Sequence, residues 1–135
     1  MGAIVIGYVD TPQGHAALRA GVQEAMLRSE QVVVVHSSKG GVALGGAEAI
    51  EIKATLQAVQ QDLQAEHVSF QIRNLVRGND VAEDLAAVAE EYGADMIVIG
   101  LRHRTSVGKF LLGSDAQQII QGAPCPVLCV RASAA

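Results

Sequence analysis

Apolar residues in this chain come in short unbroken runs, separated by segments in which they recur every three or four positions. AIVIGYV at 3–9, QVVVVHS at 31–37, DMIVIG at 95–100 and PVLCVR at 126–131 are the unbroken runs. Their length and β-branched content predict strands buried on both faces. VSFQIRNLV at 68–76 alternates in part and predicts one more strand. Between the runs the period lengthens to that of a helix. Leu18, Val22 and Met26 predict the inward stripe of a helix over 14–29, after TPQG breaks the first strand. Ile52, Leu56, Val59 and Leu63 do the same for 47–66. Val81, Leu85, Val88 and Tyr92 mark a third helix, capped by Asn79 or Asp80 and stopped by Gly93. A fourth runs from Ser114 to Gln121.

Strand and helix therefore alternate from one end of the chain to the other. That order predicts an α/β fold: one doubly wound, Rossmann-like, five-stranded parallel sheet with helices on both faces. No repeat or linker divides it, so residues 1–135 are expected to form one domain. SKGGVALGG at 38–46 reads as an irregular loop. Ligands of such sheets bind beyond the carboxyl ends of the strands, where the strand order reverses. If the first and fourth strands are neighbours, Val9 and Asp10 face Gly100 across that crevice.

Composition narrows the partners. The net charge is −4 and the pI 5.5, which disfavours general nucleic-acid or anionic-membrane binding. With two Phe, two Tyr and no Trp, the core must be aliphatic. The opening MGAIVIGYVD runs straight into a strand without a basic leader, and no apolar run approaches the roughly 18 residues of a membrane helix. A soluble, cytoplasmic protein is expected. Cys125 and Cys129, four residues apart in one strand, are too far apart to bridge and read as buried thiols in a reducing compartment.

Against that acidic background, GLRHRTSVGKFLLGS at 100–114 gathers Arg102, His103, Arg104 and Lys109 with three glycines. Glycine lets backbone N–H groups approach a phosphate, and a helix N-terminus adds unsatisfied N–H groups with partial positive charge. Gly113-Ser114 stands where the last helix begins. The same residues have a structural reading: Ser114 and Gln117 fit a capping box, and the cations fit a solvated loop. Asp10 can likewise serve a ligand or cap the first helix. His36 ends the second strand, either reaching the crevice or lying at a loop edge. His15 and His67 read as helix-surface residues. The four histidines lack ligand-like spacing, so no metal site is expected. No Walker loop, nucleophile elbow or GxGxxG pattern occurs.

The strand ending in Asp10, the stretch YGADMIVIG and the ending GAPCPVLCVR together resemble the universal stress protein family over nearly the whole chain. Its nucleotide-binding branch carries Gly, two residues, Gly, nine residues, then Gly-Ser or Gly-Thr. Here Gly100, His103, Gly113 and Ser114 keep that spacing, with His103 replacing the second glycine. The resemblance implies a strand order of 3-2-1-4-5. It also implies that Val9 and Asp10 lie near adenine and ribose; His36, if its position at the strand end lets it reach the crevice, would meet the adenine edge. Ile99 and Gly100 would line the ribose and α-phosphate. Gly113, Ser114 and the amides of Asp115 and Ala116 would hold phosphates; the loop's own Arg102, Arg104 and Lys109 would supply compensating charge. The last strand, Pro126 to Arg131, would pair in a homodimer.

Two departures weigh against tight binding. His103 adds bulk where backbone approach is wanted, and Asp115 repels a phosphate. The function expected is a stress-response sensor or adaptor that binds ATP, or ADP, AMP or cyclic AMP, with Mg accompanying the nucleotide. It is not expected to be an enzyme beyond a weak ATPase. The alternatives are a nucleotide-free dimeric interaction module and a slow nucleotide hydrolase.

Overall fold

A strand whose successive residues are all Val or Ile is apolar on both faces and must be covered on both. β-Branched runs of that kind form the middle of a five-stranded sheet, arranged in the order expected, in a computed structural model of the chain, which describes residues 2–38, 46–76, 80–101 and 112–132. The elements are β1 (Ala3–Gly7), α1 (Pro12–Arg28), β2 (Gln31–Ser38), α2 (Gly46–Ala65), β3 (Phe70–Val76), α3 (Val81–Tyr92), β4 (Met96–Leu101), α4 (Ser114–Gly122) and β5 (Val127–Arg131). The sheet is parallel, in the order β3-β2-β1-β4-β5. Val5 of β1 lies opposite both Val33 of β2 and Ile97 of β4, so the strand order reverses between β1 and β4.

The period-2 alternation sorts side chains into two cores. Ile4, Ile6, Val32, Val34 and Val98 pack with Leu18, Val22, Leu56, Val59 and Leu63 of α1 and α2. Ala3, Val5, Val33, Val35, Ile97 and Ile99 pack with Leu85 and Val88 of α3 and Ala116 and Ile119 of α4. Each fully buried Val, Leu or Ile contributes about 1.5–3 kcal/mol against exposure. Among the described residues, no helix is long and apolar enough to cross a membrane.

Several boundaries and faces differ from the sequence reading. α1 begins at Pro12, not residue 14, because Thr11 caps it: the Thr11 side chain accepts from the Gly14 N–H at 3.1 Å, and Pro is well suited to the first helical position. β1 ends at Gly7, leaving Tyr8 and Val9 outside the strand. Met26 points outward, 55% exposed, and Ala25 takes the inward place. The stripe through Leu18 and Val22 drifts as 3.6-residue turns accumulate, so it meets the sheet at position 25 rather than 26. His67 is not on a helix surface but follows α2 at φ 58°, in the left-handed region. Cys125 and Cys129 are half-buried rather than enclosed. Burial pushes both thiols up, and the Asp95 charge adds to the effect at Cys125.

At the pole of the sheet where the strands begin, the Asp95 and Glu30 carboxyl groups crowd over Gly2, and a Cβ at that position would overlap both. Glu30 Oε1 is buried with no partner among the described residues. A hydrogen bond with Asp95, then burial, then the Asp95 charge push the Glu30 carboxyl above the ordinary carboxylate range. Between the ordinary Glu range and the raised folded value, the folded chain therefore binds this proton more tightly than the unfolded chain does. Stability from this group is present below the ordinary Glu range and is lost as pH rises through the higher, folded value. Glu30→Gln removes the penalty. It should raise the melting midpoint by about 1–3 °C at pH 7, and the gain should vanish near pH 3–4, where Glu30 is itself neutral, as read by thermal melts across that range.

Candidate functional site

The carboxyl ends of β1 and β4 meet at the reversal of strand order. Past β1, the Tyr8 N–H donates to Val35 O at 2.9 Å and the Thr11 N–H donates back to Val9 O at 2.9 Å, closing a tight turn into α1. Two glycines let the first turn of α1 settle into the gap. A Cβ at Gly14 would strike the carbonyl of Val9, and a Cβ at Gly100 would strike the backbone of Gln13. The bare Cα of Gly100 thus faces α1: its missing side chain makes room for the helix. The sequence reading had given that space to a phosphate.

The turn gathers a polar cluster. His15 Nε2 lies 3.0 Å from Asp10 Oδ1 and 3.3 Å from the Tyr8 hydroxyl, and the Tyr8 and His15 rings meet edge to face. Tyr8 is 2% exposed. Burial first, then the charges of Asp10 and Asp62, push its phenol up to about 12, so it stays a neutral donor and acceptor through the physiological range. Asp10 does not cap α1, since Thr11 holds that position. Val9 is exposed beside it.

On the other face of the sheet from α1, packed against β4 residues, α4 starts with Gly113 at the N-cap, φ −63°, making no side-chain cap hydrogen bond. The capping box centred on Ser114 does not form: Ser114 is the first helical residue, and the Gln117 N–H donates to Gly113 O at 3.0 Å. The amides of Ser114, Asp115 and Ala116 precede that first helical bond and have no partner within the helix. Nothing among the described residues stands within 4 Å of where a Gly113 Cβ would be. Among the described residues, neither conformation nor packing therefore demands glycine at 113, in contrast to 100.

The remaining expected site residues divide by what they can offer. Ser114 and Asp115 are exposed, and Asp115 adds a negative charge to the first turn. Ile99 and Ala116 are turned into the second core, so only their main chain is available to a ligand. His36 lies at the end of β2, Nδ1 3.2 Å from Asn74 Oδ1 on the neighbouring strand. Arg102, His103 and Lys109 lie outside the described residues, as does Arg104.

Two features escaped the sequence reading. His15 is more than a surface residue, and the Ser37 hydroxyl at the end of β2 donates to Asp84 Oδ2 at 2.5 Å, holding the buried carboxylate of α3. His15 was detectable in principle. Once Thr11-Pro12 is read as a helix start, Asp10 and His15 fall at the N′ and N4 positions, which meet across a helix entry. The Ser37–Asp84 pair is 47 residues apart and leaves no local signal.

The sequence pattern of the universal stress protein family matches residues 1–131. A universal stress protein of Mycolicibacterium smegmatis is 38% identical over 128 residues, covering 95% of this chain and 96% of that one. Among solved structures, a universal stress protein from Archaeoglobus fulgidus superposes with a TM-score of 0.85 at 34% identity, covering 96% of this chain and 98% of that one. A structure of the universal stress protein from the same organism in complex with dAMP gives 0.79 at 32% identity, with the same coverage. This chain belongs to the universal stress protein family.

The two site glycines should respond differently to the same substitution. Gly100→Ala forces a methyl into the Gln13 backbone and should cost about 1–3 kcal/mol of stability. Gly113→Ala loses only the better N-cap preference of glycine and should cost less, about 0.5–1 kcal/mol. Urea unfolding of both variants measures the contrast; equal losses would contradict the packing role of Gly100.

Proposed function

We propose that this protein binds an adenine nucleotide, ATP or ADP, AMP or cyclic AMP, in the crevice between the end of β1 and the start of α4. It acts there as a stress-response sensor or adaptor and not as a dedicated enzyme. The observation that carries this reading is Gly113. It is a glycine that its backbone angles and its packing against the described residues do not require, at a helix start whose first amides have no partner within the helix. A phosphate needs both features, a close backbone approach and free N–H donors at a positive helix end. The dAMP complex of the relative that is 32% identical over nearly the full chain supports the choice of ligand class. In this reading Ser114, Asp115 and Ala116 offer amides to the phosphates, while Asp10 and the exposed Val9 meet the nucleoside. Gly100 and Ile99 form the floor through their main chain, and His36 borders the adenine side. Arg102, His103 and Lys109 belong to the same reading as charges near the phosphates. Mg would enter as a companion of the phosphate chain.

The whole chain, 1–135, acts in this reading as one universal stress protein domain. A homodimer through the last strand accounts for β5, which ends the strand order and whose apolar residues Val127, Leu128, Cys129 and Val130 are only half-buried. An edge of that kind invites pairing. The free thiols suit a cytoplasmic setting.

A second reading, a nucleotide-free interaction module of the same fold, is favoured by Asp115, whose carboxylate stands in the first turn of α4. Calorimetric titration with ATP, ADP, AMP and cyclic AMP at millimolar concentration separates the two. Saturable heat with at least one nucleotide is expected, and heats equal to buffer dilution for all four would overturn the nucleotide reading. Gly113→Ser would give α4 a side-chain cap and a slightly higher melting point, yet weaken ATP binding about tenfold by filling the phosphate approach. Asp115→Asn should strengthen ATP binding a few-fold.

A further inference from the structure

Asp10 and His15 occupy the two positions flanking a helix start where a pair of apolar side chains usually closes the turn. Here the pair is polar, and its side chains are 63% and 47% exposed. An ionised carboxylate only accepts hydrogen bonds, so His15 Nε2 must carry the hydrogen shared with Asp10 Oδ1 at 3.0 Å. The Tyr8 oxygen, 3.3 Å from the same nitrogen, and the edge-to-face ring contact hold the imidazole in place from the buried side. Asp10 thus has one oxygen engaged. The other, Oδ2, makes no hydrogen bond recorded among the described residues.

We infer that His15 is a positioning residue for the nucleoside end of the crevice: by engaging Asp10 Oδ1 it fixes the carboxylate so that Oδ2 is a single, directed acceptor for a ribose hydroxyl or a base amino group. The inference rests on the nucleotide reading above and adds a residue to it. Left to itself, an exposed aspartate at a loop end samples several rotamers, and a ligand must stop that motion on binding. The His15–Tyr8 bracket removes part of that cost in advance. It also sets the polarity of the subsite: with the hydrogen of Nε2 already committed, the ligand has to bring the donor. A group that only accepts, such as a phosphate oxygen or a keto group, is disfavoured beside Asp10 and directed to the α4 end.

The test is titration calorimetry with two probes, ATP and inorganic tripolyphosphate, because tripolyphosphate lacks the nucleoside. His15→Ala should weaken ATP binding three- to ten-fold and leave tripolyphosphate binding unchanged. His15→Gln, which keeps an N–H donor, should recover ATP affinity to within about twofold. Adding His15→Ala to Asp10→Ala should cost nothing further, because the histidine acts through the carboxylate. If His15→Ala does not fold, His15→Phe replaces it, retaining a ring against Tyr8 without a nitrogen. A turn-closing role alone would lower the melting point of the histidine variants and leave ATP affinity at the wild-type value; that outcome, or equal losses for both probes, overturns the inference while the nucleotide reading stands. Absence of binding of ATP, ADP, AMP and cyclic AMP alike by the wild-type protein overturns both.

Discussion

The close approach of the first turn of α1 to β4 is the constraint on which the rest of the site depends. It exists because Gly100 carries no side chain where the Gln13 backbone lies, and because Gly14 carries none against the Val9 carbonyl. Bring the helix in that far and the turn after β1 must be short, with Thr11 capping and Pro12 starting α1 at once. That geometry brings Asp10 next to His15. A bulkier residue at either glycine would lift the helix and pull the Asp10 turn away from the end of β4. The crevice at the switch point is thus set as much by backbone packing within the protein as by anything a ligand demands.

The two ends of the crevice are built on opposite principles. The Asp10 end is preorganised by side chains: a buried tyrosine, a histidine and a carboxylate already in contact. At the α4 end, among the described residues, no side chain caps the helix start, nothing crowds Gly113, and the first amides have no partner in the helix. A ligand with a donor-rich head and an anionic tail complements that asymmetry, and a nucleotide has both. Asp115 is the one described group at the open end whose charge works against it.

Much of this was legible in the sequence. The five apolar runs and the 3.6-residue stripes of α2 and α3 specify their faces, since Val and Ile at adjacent positions leave a strand no polar face and Leu56, Val59 and Leu63 can only point one way. Asp10, Gly113 and Ser114 stood out as candidates because they sit at element ends, where chemistry in this architecture collects. What could not be read was the direction in which a glycine is bare. Gly100 and Gly113 look alike as letters; one is crowded by a helix, and the other meets nothing among the described residues. The role of Met26 failed for a related reason, because the spacing of a stripe does not fix where the helix axis tilts across a sheet. Ser37 and Asp84 meet through the β2–α3 packing alone, and no local pattern announces such a pair.

The claim that most of this account rests on is that one crevice, bounded by the Asp10 turn and the start of α4, receives the ligand. The most direct measurement is a ¹⁵N-resolved NMR titration of the full chain with ATP, following backbone amides. The account predicts concerted, saturable shifts at Asp10, Gly113, Ser114, Asp115 and Ala116, with the amides of Gly2, Glu30 and His67 at the far pole unmoved. Shifts concentrated at that far pole, or movement of the α4 amides without Asp10, would contradict it.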